Sequence, residues 1–327
     1  MISIFNLEPE EYSSQARDLL KKVGKVEDGP LTRDQVIQQI SQQDALIVRL
    51  AHQIDKEIID AAKSLKVIST ATTGLNHIDT DYAKGKKIDI LSLKGETKFL
   101  EDIHATAEHT WALILALIRK VPQSFQSVKK GEWDRDSFKG RELHGATLGI
   151  VGFGRIGKKI AKYGQAFGMA VIAYTKDTID QLDGVSLVDS LSTILEKSDI
   201  VSIHVPLNST TRMMFRDKEF NIMKKGSILI NTSRGEIIDE DALMNAIKYG
   251  FLAGAALDVL DGEAVLIQKR KSKIIEFSRN DDRIIITPHI GGATFESMEK
   301  TEIFMAKKLV KFFGTELSVE NQPGVNK

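Results

Sequence analysis

The stretch Leu148–Ile160, LGIVGFGRIGKKI, holds the first residues whose types and spacing imply chemistry. Gly152, Gly154 and Gly157 fit G-x-G-x-x-G directly after an apolar run and before an amphipathic one. In such a turn the first glycine permits the tight bend and the second lets backbone approach a pyrophosphate. The third lets the helix pack on the strand. Arg155 and Ile156 open that helix, whose N-terminal N–H groups and positive dipole end suit phosphate oxygens. A glycine-rich turn can also be purely structural. Here the strand–turn–helix context, and a second strand ending at Tyr174, favour a dinucleotide.

The end of that second strand admits two cofactors. Asp177, in reach of a ribose diol, points to NAD; Thr175 and Lys176, accepting a 2′-phosphate, point to NADP. His109 and His204 are of a metal-ligand type. Neither an HExxH pattern nor clustered carboxylates accompany them, so no metal is expected. With no cysteine, thiolate catalysis, disulfides and cysteine-bound metal are excluded.

The elements that must position these residues form an alternating series. Ala45–Arg49, Val67–Thr70, Leu148–Val151, Val171–Tyr174, Ile200–His204, Ser227–Ile230, Gly254–Asp258 and Arg283–Thr287 read as buried strands. Lys56–Lys63, Arg155–Phe167, Leu191–Lys197 and Glu240–Tyr249 read as helices between them. Such alternation predicts an α/β fold of doubly wound parallel sheets. Two longer helices, Ile103–Arg119 and Phe295–Phe313, read as connectors. They predict two Rossmann-like domains: residues 1–101 with 288–327 as the substrate domain, and 102–287 as an inserted dinucleotide-binding domain. A cleft between two such domains is a common place for a small ligand.

Composition narrows the partners. The chain has 327 residues, 42% hydrophobic and 28% charged, which is globular rather than disordered. Lys plus Arg equals Asp plus Glu at 45 each, so no net field draws nucleic acid or an anionic membrane. The basic run Gln268–Lys273 reads as a solvated loop. The start shows no basic region followed by a long apolar run, and Trp111–Ile118 is too short to span a bilayer. The expectation is a cytoplasmic protein.

Further blocks, in order, are Thr73–Asp79 (TGLNHID), Ala107–His109 (AEH), His204–Leu207 (HVPL), Asn231–Asp239 (NTSRGEIID), Gly254–Glu263 (GAALDVLDGE) and Thr287–Gly292 (TPHIGG). With the glycine turn, these make the chain resemble the D-isomer-specific 2-hydroxyacid dehydrogenase family, which includes phosphoglycerate, hydroxypyruvate and D-lactate dehydrogenases. The resemblance runs from about Ala45 to Phe313. It implies an oxidoreductase that moves a hydride between NAD or NADP and C2 of a small D-2-hydroxy or 2-keto acid. It implies catalysis by Arg234, Glu263 and His289, with Thr73, Gly74 and Arg234 holding the substrate. It also implies that His204, Pro206, Thr232, Asp258 and His289 line the cofactor. Each catalytic role is chemically sound. A guanidinium fork suits planar carboxylate and carbonyl oxygens. An imidazolium can protonate the developing alkoxide, and a carboxylate can orient it.

Departures from the family are Ala264, where proline is frequent, and a long stretch from Ala264 to Arg283 that puts substrate size in question. The chain ends at Lys327, which suggests no further regulatory domain of the kind some phosphoglycerate dehydrogenases carry. Arg49 resembles a position that contacts a second anionic group in phosphoglycerate members; a structural salt bridge is its favoured role. The helix Ile103–Arg119 carries an apolar surface around Trp111, Leu113, Leu115 and Leu117. One face must cover its own domain and the other is expected to pair in a homodimer, with complete burial within one chain as the alternative. Phosphite oxidation and a nucleotide-sensing corepressor on the same fold remain alternatives. Glu263 argues against formate oxidation, which pairs glutamine with the histidine.

Overall fold

The computed structural model describes residues 2–29, 32–176, 182–263 and 272–314. The chain divides into two units. Glu101–Thr294 forms one, and the segments before Glu101 and from Phe295 onward form the other. The strands are β1 (Ile2–Asn6), β2 (Gly24–Asp28), β3 (Ala45–Val48), β4 (Val67–Thr70), β5 (Asp89–Leu91), β6 (Thr147–Val151), β7 (Ala170–Tyr174), β8 (Val185–Leu187), β9 (Ile200–Ile203), β10 (Ser227–Asn231), β11 (Leu252–Leu257) and β12 (Ile284–Ile286).

In the outer unit the order is β2-β1-β3-β4-β5, with every pair parallel. Alternate residues of the buried strands serve opposite faces. Phe5, Leu46, Val48 and Ile68 pack with Val36, Ile58 and Ile59. Ile4, Ala45, Ile47 and Val67 pack with Ala16, Leu20, Ala306 and Leu309. Strands covered on both sides need near-continuous apolar runs, and ALIV at β3 is one. Local signals start the helices: Asp55 accepts from the N–H groups of Glu57 and Ile58, and Thr32 with Gln35 forms a capping box.

In the inner unit the order is β12-β11-β10-β9-β6-β7-β8, again all parallel. From β6 the chain winds outward to β7 and β8, then returns to β9 and winds the other way. Strand order therefore reverses between β6 and β9, the place where doubly wound sheets bind ligands at their carboxyl ends. Leu148, Ile150, Val171, Ile228 and Ile230 face the helices Ala105–Ile118 and Arg155–Ala166. Val151, Val201, Ile203, Leu229 and Leu257 face the opposite layer with Leu243, Ile247 and Ile274.

The structure differs from the sequence reading in three places. The second division falls between Thr294 and Phe295 rather than at 288, because residues 289–291 are tied to Asp258 of the inner unit. Trp111, Leu113 and Leu117 are buried within the chain against the sheet, so they do not form an outward apolar face. The strands β1, β2, β5 and β8 went unread: Ser3 and Asn6 interrupt the apolar run of β1, β2 (GKVED) is a polar edge strand, and β5 and β8 are three residues long.

Candidate active site

The glycine turn is built as its spacing predicts. Gly152 lies at φ +96, and its N–H donates to Tyr174 O at 2.8 Å. A Cβ there would lie 2.6 Å from the carbonyl of His204, so the turn closes only without a side chain. A Cβ on Gly157 would meet Gly152 O at 2.3 Å, which seats the helix Arg155–Ala166 against the turn. Gly154 differs: a Cβ there would meet nothing within 4 Å. The helical ladder begins with Lys158 N–H donating to Gly154 O at 2.9 Å, so the N–H groups of Ile156 and Gly157 precede it. Two glycines locked by packing, and a third beside open space at a helix N-terminus, fit a pyrophosphate group. Arg155 is turned to the chain, its Nη1 donating to Ile103 O at 3.1 Å, and burial lowers its pKa.

The other candidates of the inner unit gather at the same carboxyl edge. Thr175 and Lys176 follow β7, His204 and Pro206 follow β9, and Thr232 and Arg234 follow β10. Asp258 follows β11, and His289 follows β12. Lys176 is exposed; Asp177 lies outside the described residues. His204 N–H donates to Val151 O at 2.7 Å, and its Nε2 lies 2.8 Å from Ser202 Oγ. His204 is half-buried, and burial pushes its pKa down to about 3. His204 is therefore neutral at physiological pH.

Arg234 stands at the head of a short turn, Gly235–Ile237. Asn231 Nδ2 donates to Arg234 O at 2.8 Å, and Asn231 Oδ1 accepts from Ser233 N–H at 3.0 Å. Ser233 Oγ donates to Val205 O at 2.8 Å, tying this loop to the one after β9. Burial lowers the Arg234 pKa, opposed by Glu263 and Glu236, and the guanidinium stays cationic. Gly235 presses on the next loop: a Cβ would lie 1.9 Å from the Leu260 carbonyl carbon. A side chain there would push apart the loops that carry Arg234 and Glu263.

Glu263 Oε1 lies 2.5 Å from His289 Nδ1, and Glu263 Oε2 accepts from Leu260 N–H at 3.4 Å. His289 has φ +55, unusual for a residue with a Cβ, and its N–H donates to Asp258 O at 2.8 Å. The Asp258 carboxylate is 2% exposed and holds this loop from below. Its Oδ1 accepts from Thr287 Oγ1 at 2.6 Å and Ile290 N–H at 2.9 Å; its Oδ2 accepts from Gly291 N–H at 2.7 Å. Burial opposes ionisation of Asp258. Hydrogen bonds from His109, Thr287, Ile290 and Gly291 outweigh it and keep the carboxyl below its ordinary range.

Thr73 and Gly74 belong to the outer unit, in the loop between β4 and the helix Thr80–Gly85. Thr72 Oγ1 donates to Gly74 O at 2.8 Å, and Thr72 O accepts from Leu93 N–H, so this loop has its own internal support. In the same unit Arg49 pairs with Glu302 at 3.2 Å and Glu8 at 3.4 Å, the structural salt bridge that the sequence favoured. Of the stretch Ala264–Arg283, residues 264–271 lie outside the described residues, and a helix covers Lys273–Asn280.

Four residues of the site went unread: Thr110, Gly235, Thr287 and the supporting role of His109. His109 Nε2 lies 3.0 Å from Thr287 Oγ1 and 3.2 Å from Asp258 Oδ1. The only sequence signal was that His109, Gly235 and Thr287 fall inside ordered blocks. Among the described residues no group of three His, Asp or Glu side chains forms a metal site, and no helix is long and apolar enough to cross a membrane.

Residues 111–291 match the family described as D-isomer specific 2-hydroxyacid dehydrogenase, NAD binding domain. The D-3-phosphoglycerate dehydrogenase of Methanocaldococcus jannaschii is 35% identical over 99% of this chain. The chain spans 60% of that relative's length, and 56% of the length of its counterpart from Archaeoglobus fulgidus. The hydroxypyruvate reductase of Thermotoga maritima is 37% identical, with 87% of this chain and 89% of the relative covered. Among solved structures, a D-lactate dehydrogenase from Aquifex aeolicus complexed with NAD and lactic acid superposes with a TM-score of 0.82, at 31% identity and 95% coverage of each chain. The glycine turn, the sheet order and these relatives agree: the chain belongs to the D-isomer-specific 2-hydroxyacid dehydrogenase family.

Proposed function

We propose that this protein is a nicotinamide-dependent oxidoreductase that interconverts a small D-2-hydroxy acid and its 2-keto acid. The observation that carries this reading is the 2.5 Å pair of His289 with Glu263, whose loop lies directly against Gly235 of the Arg234 turn. When bound, the nicotinamide supplies or accepts the hydride at C2. The Arg234 guanidinium binds the keto acid's oxygens as a planar fork. His289 gives a proton through Nε2 to the oxygen that becomes the hydroxyl, since its Nδ1 is engaged by Glu263. In the oxidative direction the same nitrogen takes that proton back. Thr73 and Gly74 bind the substrate carboxylate in this reading.

The turn of Gly152, Gly154 and Gly157, with the N–H groups of Ile156 and Gly157, would hold the phosphate groups of the cofactor. Arg155, His204, Pro206 and Thr232 wall the same edge. Asp258, whose oxygens accept from Thr287, Ile290 and Gly291, holds the loop and in this reading also borders the cofactor. NAD is favoured over NADP: the family's description names NAD, a similar structure was solved with NAD, and Asp177 follows β7 closely. The reading includes a cytoplasmic location and a homodimer. Among the apolar side chains left exposed in the inner unit, Val121, Phe125, Val128 and Trp133 fall within one stretch of chain, which favours them as the paired surface over the buried face of the preceding helix. Light scattering reads the mass.

The deciding experiment measures nicotinamide absorbance with glyoxylate, hydroxypyruvate, phosphohydroxypyruvate and pyruvate, each with NADH and NADPH. Turnover of a member of this panel, faster with NADH, is expected. No turnover with any pair overturns the activity. A preference for NADPH that Lys176→Ala abolishes overturns only the cofactor choice.

A further inference from the structure

We infer that His109 and Thr110, neighbours on one helix, are positioning residues that fix the loops carrying His289 and Arg234. The inference rests on the proposed roles of those two residues. Its geometry lies wholly within the inner unit.

His109 reaches the His289 loop at both ends. Thr287 Oγ1 donates its only proton to Asp258, so its oxygen accepts from His109 Nε2–H, which requires the proton on Nε2. That N–H is shared with Asp258 Oδ1 at 3.2 Å. At the far end, a Cβ on Gly291 would lie 2.8 Å from Asp258 Oδ2 and 3.6 Å from His109 Cδ2, so the loop lies directly on this pair. His289 sits between these ends at φ +55, a conformation that its surroundings must impose.

Thr110 reaches the other loop. Its hydroxyl donates to Thr106 O at 2.7 Å, leaving its oxygen to accept from Thr232 Oγ1 at 2.8 Å, and both threonines are buried. Thr232 lies two residues before Arg234 in the turn that Asn231 and Ser233 brace. Adjacent residues of the helix Ala105–Ile118 thus set where the proton donor and the guanidinium fork stand on one sheet edge. Misplacement of reacting groups by about 1 Å can cost on the order of a hundredfold in rate.

Two readouts test this on the intact chain. Amide hydrogen exchange at Ile290 and Gly291 reports the loop directly, without turnover. In His109→Ala these amides are expected to exchange at least about tenfold faster. His109→Gln, which keeps an N–H donor, is expected to restore much of the protection. With a substrate from the panel above, His109→Ala and Thr110→Val are expected to lower kcat about ten- to a hundredfold. NADH affinity by fluorescence stays within about twofold, and Thr110→Ser recovers most of the rate. Wild-type exchange in both His109 variants, or a kcat unchanged in His109→Ala and Thr110→Val, overturns the inference. If His109→Ala does not fold, the comparison of Thr110→Val with Thr110→Ser and the exchange of His109→Gln decide it. A wild-type protein that reduces no keto acid, yet loses loop protection in His109→Ala, retains the positioning role and refutes only the activity.

Discussion

His289 Nδ1 lies 2.5 Å from Glu263 Oε1, across 26 residues of chain. A carboxylate at Nδ1 leaves Nε2 as the nitrogen to face substrate, so under the proposed acid–base role the ring is oriented before substrate arrives. His289→Ala is expected to lower kcat/KM by at least about three orders of magnitude in both directions, since general acid–base catalysis contributes on that scale. Glu263→Gln keeps a hydrogen bond but loses the charge, and is expected to fall between. Steady-state kinetics with NADH titrations check both; equal activity of the Gln variant and wild type would remove the charge from the mechanism.

Arg234→Lys keeps a cation but loses the planar fork. The expected loss in kcat/KM is about a hundredfold or more, with NADH affinity nearly unchanged. Near wild-type turnover in the Lys variant would place carboxylate recognition elsewhere.

The three glycines of the turn separate cofactor binding from stability. Gly154→Ala puts a methyl into open space where the pyrophosphate is proposed to approach, so NADH affinity falls while Tm holds. Gly152→Ala combines φ +96 with a 2.6 Å approach to His204, and is expected to cost at least about 1–3 kcal/mol of stability. Fluorescence titration and thermal melts on the two variants decide. A Gly154→Ala protein with unchanged NADH affinity contradicts the phosphate assignment.

His204 gives a pH dependence with a defined sign. Its folded pKa of about 3 lies below the ordinary value of 6.5. As pH falls below 6.5 the unfolded chain gains a proton that the folded ring refuses, so stability drops; above 6.5 the group contributes no slope. The slope reaches at most about 1.4 kcal/mol per pH unit. His204→Gln is expected to be less acid-sensitive than wild type by up to this amount. Urea unfolding of both proteins between about pH 5 and 8 measures the difference. Parallel curves would show that His204 is not the group responsible.

The sequence determined what is local. Eight strands were legible because parallel strands covered on both faces must be apolar along their length, and the glycine turn because backbone sterics fix Gly152 and Gly157 at their spacing. Arg234, Glu263 and His289 were each ambiguous alone; their ordered blocks singled them out. The tertiary structure decided what depends on strand order. β12 lies beside β11, which brings Thr287 to Asp258, and the helix Ala105–Ile118 crosses beneath, which brings His109 to both. His109 and Thr287 are 178 residues apart, beyond any periodicity or spacing rule. The same crossing buries Trp111, Leu113 and Leu117, whose apolar pattern alone fits a sheet-facing surface as well as a partner-facing one. Side-chain type states what a residue can do, and only packing against the sheet selects which neighbour it does it to.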